Sequence, residues 1–139
     1  MTHTEAKFWN PQTNKLTTEP VSDQDSIEKL ISELSKKYPN PNTLPGFELV
    51  SSNKTYGTLA IAVAPFGWAI IHTSEDHLTQ HCTNSKQGSD EESLDVQWEE
   101  VDSVPRKWFI PKNEALVGIK QWMLDGTLSP AVAWCDKCY

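Results

Sequence analysis

The stretch TLAIAVAPFGWAIIHT, residues 58–73, decides the fold. Leu59, Ile61 and Val63 fall on one side of an extended chain, and Ala60, Ala62 and Ala64 on the other. That period of two belongs to a strand. Pro65-Phe66-Gly67 reads as a turn and Trp68 to Thr73 as the partner strand, so the stretch forms a β-hairpin. The row of alanines predicts that another element packs closely on that side, and a helix is the expected one.

Outward from the hairpin, two helical patterns appear. Ile27, Leu30, Ile31, Leu34 and Tyr38 recur at spacings of three and four. Ser22, Asp23 and Asp25 offer capping oxygens ahead of them, Lys36 and Lys37 suit the last turn, and Pro39 and Pro41 end the run. The helix is placed at Asp23 to Tyr38. The second runs from Lys112 to Asp125, with Ala115, Leu116, Ile119, Trp122 and Met123 on one face. Gly126 suits the position just past its end. Gly118, inside the helix, costs about 1 kcal/mol against alanine, which a close approach of helix to sheet would explain. Further strands are expected at Lys7 to Trp9, Leu16 to Val21, Phe47 to Ser52, Leu94 to Glu99, Arg106 to Ile110 and Ala131 to Trp134. Ser74 to Ser93 reads mainly as loop, with a short helical turn at Glu75 to His81. The expected fold is α+β: one domain, residues 1–139, with a mostly antiparallel sheet and two principal helices packed on it. Leu30, Leu34, Leu59, Ile61, Ile70, Ile119, Trp122 and Trp134 are expected in its core.

Composition narrows the function. The 139 residues carry a net charge of −7. Nucleic acid and anionic membrane both need a positive face, so neither is an expected partner; a basic protein is compatible. No apolar run approaches the roughly 20 residues of a membrane-spanning helix. Met1 to Lys7 lacks the apolar segment of a secretory signal, so the chain is expected in the cytoplasm. There Cys82, Cys135 and Cys138 should all be thiols.

Cys135 and Cys138 have zinc-knuckle spacing. His77 and His81, on one side of a helical turn, could complete a Cys2His2 set, with Cys82 as a further ligand. The glycines that usually flank such a pair are missing, and chain ends fray. The expectation is therefore no metal and no cofactor, with a zinc-stabilised adaptor as the alternative. Neither a Gly-x-Ser-x-Gly elbow nor a Gly-x-Gly-x-x-Gly loop is present, and His72, beside Ile70 and Ile71, reads as a hydrogen-bonded structural histidine. An enzyme is not expected.

Between Gln87 and Pro105 stand Asp90, Glu91, Glu92, Asp95, Glu99, Glu100 and Asp102, with no lysine or arginine. Such a run is either a solvated edge or a negative patch that meets a basic cleft on another protein. Leu94, Val96 and Trp98 could hold the segment to the core, or Trp98 could anchor an interface.

Phe109-Ile110-Pro111, the helix with Ala115, Ile119 and Trp122, then Asp125-Gly126, Pro130 and Val132-Ala133-Trp134 resemble immunity protein family 1 of bacterial polymorphic toxin systems. The capped first helix and the 58–73 hairpin fit the same plan, while the 74–93 insert and the Cys-Asp-Lys-Cys tail depart from it. The resemblance implies a small cytoplasmic protein that forms a 1:1 complex with the catalytic domain of a cognate toxin and neutralises it. Such families are commonly linked with nucleic-acid deaminase toxins, including cytosine deaminases. Contact residues differ between pairs, so the resemblance assigns none. The acidic residues named above, with Trp98, are the contact candidates from charge.

Overall fold

A computed structural model of the chain describes residues 2–10, 12–37, 42–85 and 92–135. Strands β1 (Thr4–Asn10) and β2 (Lys15–Val21) precede helix α1 (Gln24–Lys37). Then come β3 (Thr43–Ser51), β4 (Thr58–Ala64), β5 (Gly67–Thr73), β6 (Gln80–Thr83), β7 (Ser93–Gln97) and β8 (Val101–Pro105). Helix α2 (Lys112–Asp125) and a short β9 (Trp134–Cys135) complete the order. The main path of the sheet is β2-β1-β3-β4-β5-β6-β9. Every pairing along it is antiparallel. The fold is α+β, with a mostly antiparallel sheet and two helices, as the two sequence periods imply.

β3 changes partner along its length. Glu48 to Ser51 pair with β1, while Thr43 to Pro45 pair in parallel with β7. β7 and β8 form an antiparallel hairpin that this join folds back over the main sheet.

The two faces of the sheet bury different residues. On one, Leu59, Ile61, Val63 and Ile70 pack with Ile27, Leu30 and Leu34 of α1 and Ile119 and Trp122 of α2. On the other, Ala62, Ala64, Ala69, Ile71 and Cys82 pack with Val96 and Val104 of the hairpin. The alanine row is therefore covered by strands, not by the expected helix. Small side chains let a second β layer lie close, and the large side chains opposite fill the wider gap beneath helices.

Helix α1 starts where its cap dictates: Ser26 N–H donates to the Asp23 carboxylate at 2.9 Å, and Asp23 N–H donates to the Ser26 hydroxyl at 3.1 Å. Tyr38 lies outside the described residues. Helix α2 ends at Gly126 in the left-handed conformation (φ 78°), its N–H donating to the Trp122 carbonyl at 2.7 Å. A Cβ at Gly118 would stand 3.4 to 3.7 Å from Val132, Trp134 and Ile70, which is ordinary contact. The close approach expected there does not require glycine. A Lys112–Glu28 ion pair at 2.8 Å joins the two helices.

Several other expectations change. Arg106 to Trp108 form a 3-10 turn, and only Ile110 of that segment bridges to a strand, at Trp68. The 74–93 segment contains β6 where loop was expected, and Glu75 to His81 form no helical turn. Val101–Pro105, which carries only two apolar valines, is a strand because it pairs with β7. Trp134 is half-buried, its indole donating to the Ser129 carbonyl at 2.9 Å; the other expected core residues are buried. Cys82 is disulfide-bonded rather than a thiol. No helix among the described residues is long and apolar enough to cross a membrane.

Candidate protein-interaction surface

The acidic run becomes the β7–β8 hairpin and its flanks. Glu92, Asp95, Glu99, Glu100 and Asp102 are all exposed. Asp90 and Glu91 lie outside the described residues. Pairing sets Asp95 opposite Ser103 and Val96 opposite Asp102, so carboxylates stand on both strands. Val101, 52% exposed, sits among them.

Inward-facing apolar residues hold the hairpin. Val96 and Val104 are fully buried. The Trp98 indole N–H is shared between the carbonyls of Ile61, at 3.2 Å, and Phe47, at 3.3 Å. A Cβ at Gly46 would come within 2.7 Å of Trp98 Nε1 and of Val96, so the indole lies where the glycine leaves room. Of the two roles open to Trp98, the hydrogen bonds give it that of a clasp fastening the hairpin.

Charge extends beyond the hairpin to a residue that sequence reasoning did not select. Burial pushes the Glu48 carboxyl above the usual carboxylate range; Lys7 pulls it back, Glu99 raises it further and His77 lowers it. Glu48 thus lies within electrostatic reach of the hairpin turn and of the 74–79 loop. In the sequence it is simply the polar member between Phe47 and Leu49, and only sheet register brings Lys7 beside it.

Among the described residues the metal-ligand candidates do not converge. His77 is exposed in the loop at φ 62°, held beside an Asp76 carboxylate that accepts from Ser74 and Leu78. His81 lies in β6, paired with His72, their ring centroids 6.3 Å apart. Cys135 lies opposite Cys82 only in the strand register of β9 and β6, and the Cys82 side chain packs on the hairpin side. Cys138 lies outside the described residues. Among the described residues no group of three or more His, Cys, Asp or Glu is disposed to hold an ion. His72 has the structural role expected: Nε2 meets the Tyr56 carbonyl at 2.8 Å, and Trp122 donates to the same carbonyl at 2.9 Å. Burial lowers the His72 pKa, the Tyr56 hydrogen bond opposes this, and His81 lowers it further.

Two hollows lie elsewhere. A cleft of about 940 Å³ opens between α1, α2 and the ends of β1 and β2, floored by Val21, Ile27, Leu116, Ile119 and Met123. A second, of about 630 Å³, is bounded by Phe66, Arg106 and Phe109. There the guanidinium carbon lies 3.4 Å from the Phe66 ring centroid. No protein-family model matches the chain, and no curated protein shows significant similarity to it.

Proposed function

We propose that this protein is an immunity protein that binds the catalytic domain of a cognate bacterial toxin, a nucleic-acid cytosine deaminase, and occludes its substrate site. The observation that carries the reading is the acidic hairpin with its flank, on which Glu92, Asp95, Glu99, Glu100 and Asp102 are all exposed. The resemblance over Phe109 to Trp134 adds the functional class. A deaminase must admit an unstacked base through a positively charged approach. Filling that approach blocks the reaction without chemistry by the inhibitor. The complex is 1:1. Charge of this kind accelerates association and improves selectivity more than it raises affinity.

Co-expression with the toxin domain encoded beside the gene tests the class, and survival of the host is the expected result. Reversing Glu99 and Glu100 to lysine should slow association at low salt by about tenfold and flatten its salt dependence. Loss of protection by the native chain overturns the immunity reading; an unchanged association rate in the reversed chain removes the hairpin from the interface.

A further inference from the structure

His72 in β5 and His81 in β6 lie directly opposite one another in an antiparallel pair. His72 is in turn opposite Leu59, so both imidazoles stand on the side of the sheet that the helices cover. Their ring centroids are 6.3 Å apart. Both side chains are half-buried, yet the Nδ1 atom of each is shut off from solvent and has no hydrogen-bond partner among the described residues. No other buried side-chain nitrogen or oxygen among those residues is left so. A buried polar atom without a partner costs stability. That the two such atoms belong to neighbouring rings calls for a common occupant.

The tautomer of His72 follows from its other nitrogen. The Tyr56 carbonyl can only accept, so Nε2 carries the proton and donates to it at 2.8 Å, which leaves a lone pair on Nδ1. A metal-binding imidazole is held in the same way, by a carbonyl on its second nitrogen. Trp122 donates to that carbonyl as well, at 2.9 Å, and a Cβ at Gly57 would stand 3.0 Å from Nε2, so the ring is closely seated. Burial lowers the His72 pKa, which keeps the ring in the neutral form that a metal needs. With its own proton on Nε2, His81 offers a second lone pair.

The ring separation narrows the occupant. A direct N–H···N bond of about 2.9 Å would need centroids no more than about 5 Å apart. A tetrahedral ion about 2.0 Å from each nitrogen would also hold them about 5 Å apart, whereas a nearly linear one holds them about 6 Å apart. The observed 6.3 Å fits the linear case. No third His, Cys, Asp or Glu joins the pair among the described residues. Zinc seeks four ligands, while copper(I), with a filled shell and a single charge, is satisfied by two nitrogens in line. We propose that His72 and His81 form a two-nitrogen site for copper(I), bound through Nδ1 of each ring. The site is independent of the acidic hairpin and of the immunity reading.

Silver(I) is the probe, since it shares the charge, the filled shell and the linear preference and is stable in air. It is added to the full chain in chloride-free nitrate buffer, after accessible thiols have been alkylated, because thiolates compete for the same ion. Ring nitrogens are followed by long-range proton–nitrogen correlation. The Nδ1 signals of His72 and His81 should move together and saturate at one silver per chain, while exposed His3 and His77 respond only to excess. His81→Gln removes one ligand and spares the Tyr56 hydrogen bond; it should weaken binding about a hundredfold. His3→Gln should leave binding unchanged. The melting temperature of the native chain should rise with silver, and that of His81→Gln should not. Movement at one ring alone, or equal affinities of His81→Gln and His3→Gln, overturns the site. Signals that stay in place through one equivalent of silver, with an exchange cross-peak to a bound water, show a bridging water only and overturn it too.

Discussion

The two faces of this sheet are closed by different means. Two helices of 14 residues each cover one face over large side chains, among them Phe8, Phe47 and Trp68. The other is covered by strands of five residues over alanines, and only across part of its width. The first arrangement buries nearly everything beneath it. The second leaves Glu48 half-buried and ringed by charge. A thick helical layer covers one face, while a thin β layer leaves part of the other uncovered.

The largest effect should come from the helical face. Trp122→Ala removes a fully buried indole and its hydrogen bond to Tyr56, and should cost about 3–5 kcal/mol in urea denaturation. A loss below about 1 kcal/mol would mean that the helices do not supply the main core.

The hairpin face should respond less and more locally. Trp98→Ala should cost about 2 kcal/mol, since the indole is only half-buried. Hydrogen exchange should quicken in β7 and β8 before β4 and β5. Uniform acceleration across the sheet would show the two faces to be one cooperative unit.

Gly118→Ala probes how tightly the helical layer sits. The space around a Cβ there is ordinary contact, so the change should stabilise the fold by about 0.5–1 kcal/mol through helix propensity. Destabilisation would restore the idea that glycine is required by close packing.

The smallest effect should lie at Glu48, and it should depend on pH. Burial raises the folded-state pKa of this group. A carboxyl raised in this way contributes stability below its unfolded pKa and loses it as pH rises through the folded value. At pH 7 the ionised carboxylate is therefore a liability to folding. Glu48→Gln should stabilise the chain by less than about 1 kcal/mol, because the site is partly solvated. The difference should vanish below about pH 4. A variant less stable at pH 7 would show the carboxylate to be paired in the fold rather than simply desolvated.

Much of the helical side was legible in the sequence. The 3.6-residue recurrence from Ile27 to Leu34 and from Ala115 to Trp122, with Asp23 before and Gly126 after, is local information about helix faces and ends. The hairpin of β4 and β5 was equally plain, because strict alternation and a Pro-Phe-Gly turn lie within one short stretch. The β8 strand and β6 were not legible: each is short and polar, and each becomes a strand only because a partner strand satisfies its backbone. Trp134 was overestimated as core, since it lies in a two-residue strand at the sheet's far end. At the candidate surface the carboxylates could be read as a charge run, but neither Trp98's role nor the presence of Glu48 could.

The amino-acid order by itself determined the two helices, the central hairpin, the excess of negative charge and its concentration between Gln87 and Pro105, because periodicity, capping and charge are properties of neighbouring residues. The tertiary structure decided which layer covers the alanine face, where that cover stops, and that Lys7, Glu48 and Ala60 form one row. Those depend on strand register and on the parallel join of β3 to β7, pairings between segments some 40 to 50 residues apart, which no local pattern encodes.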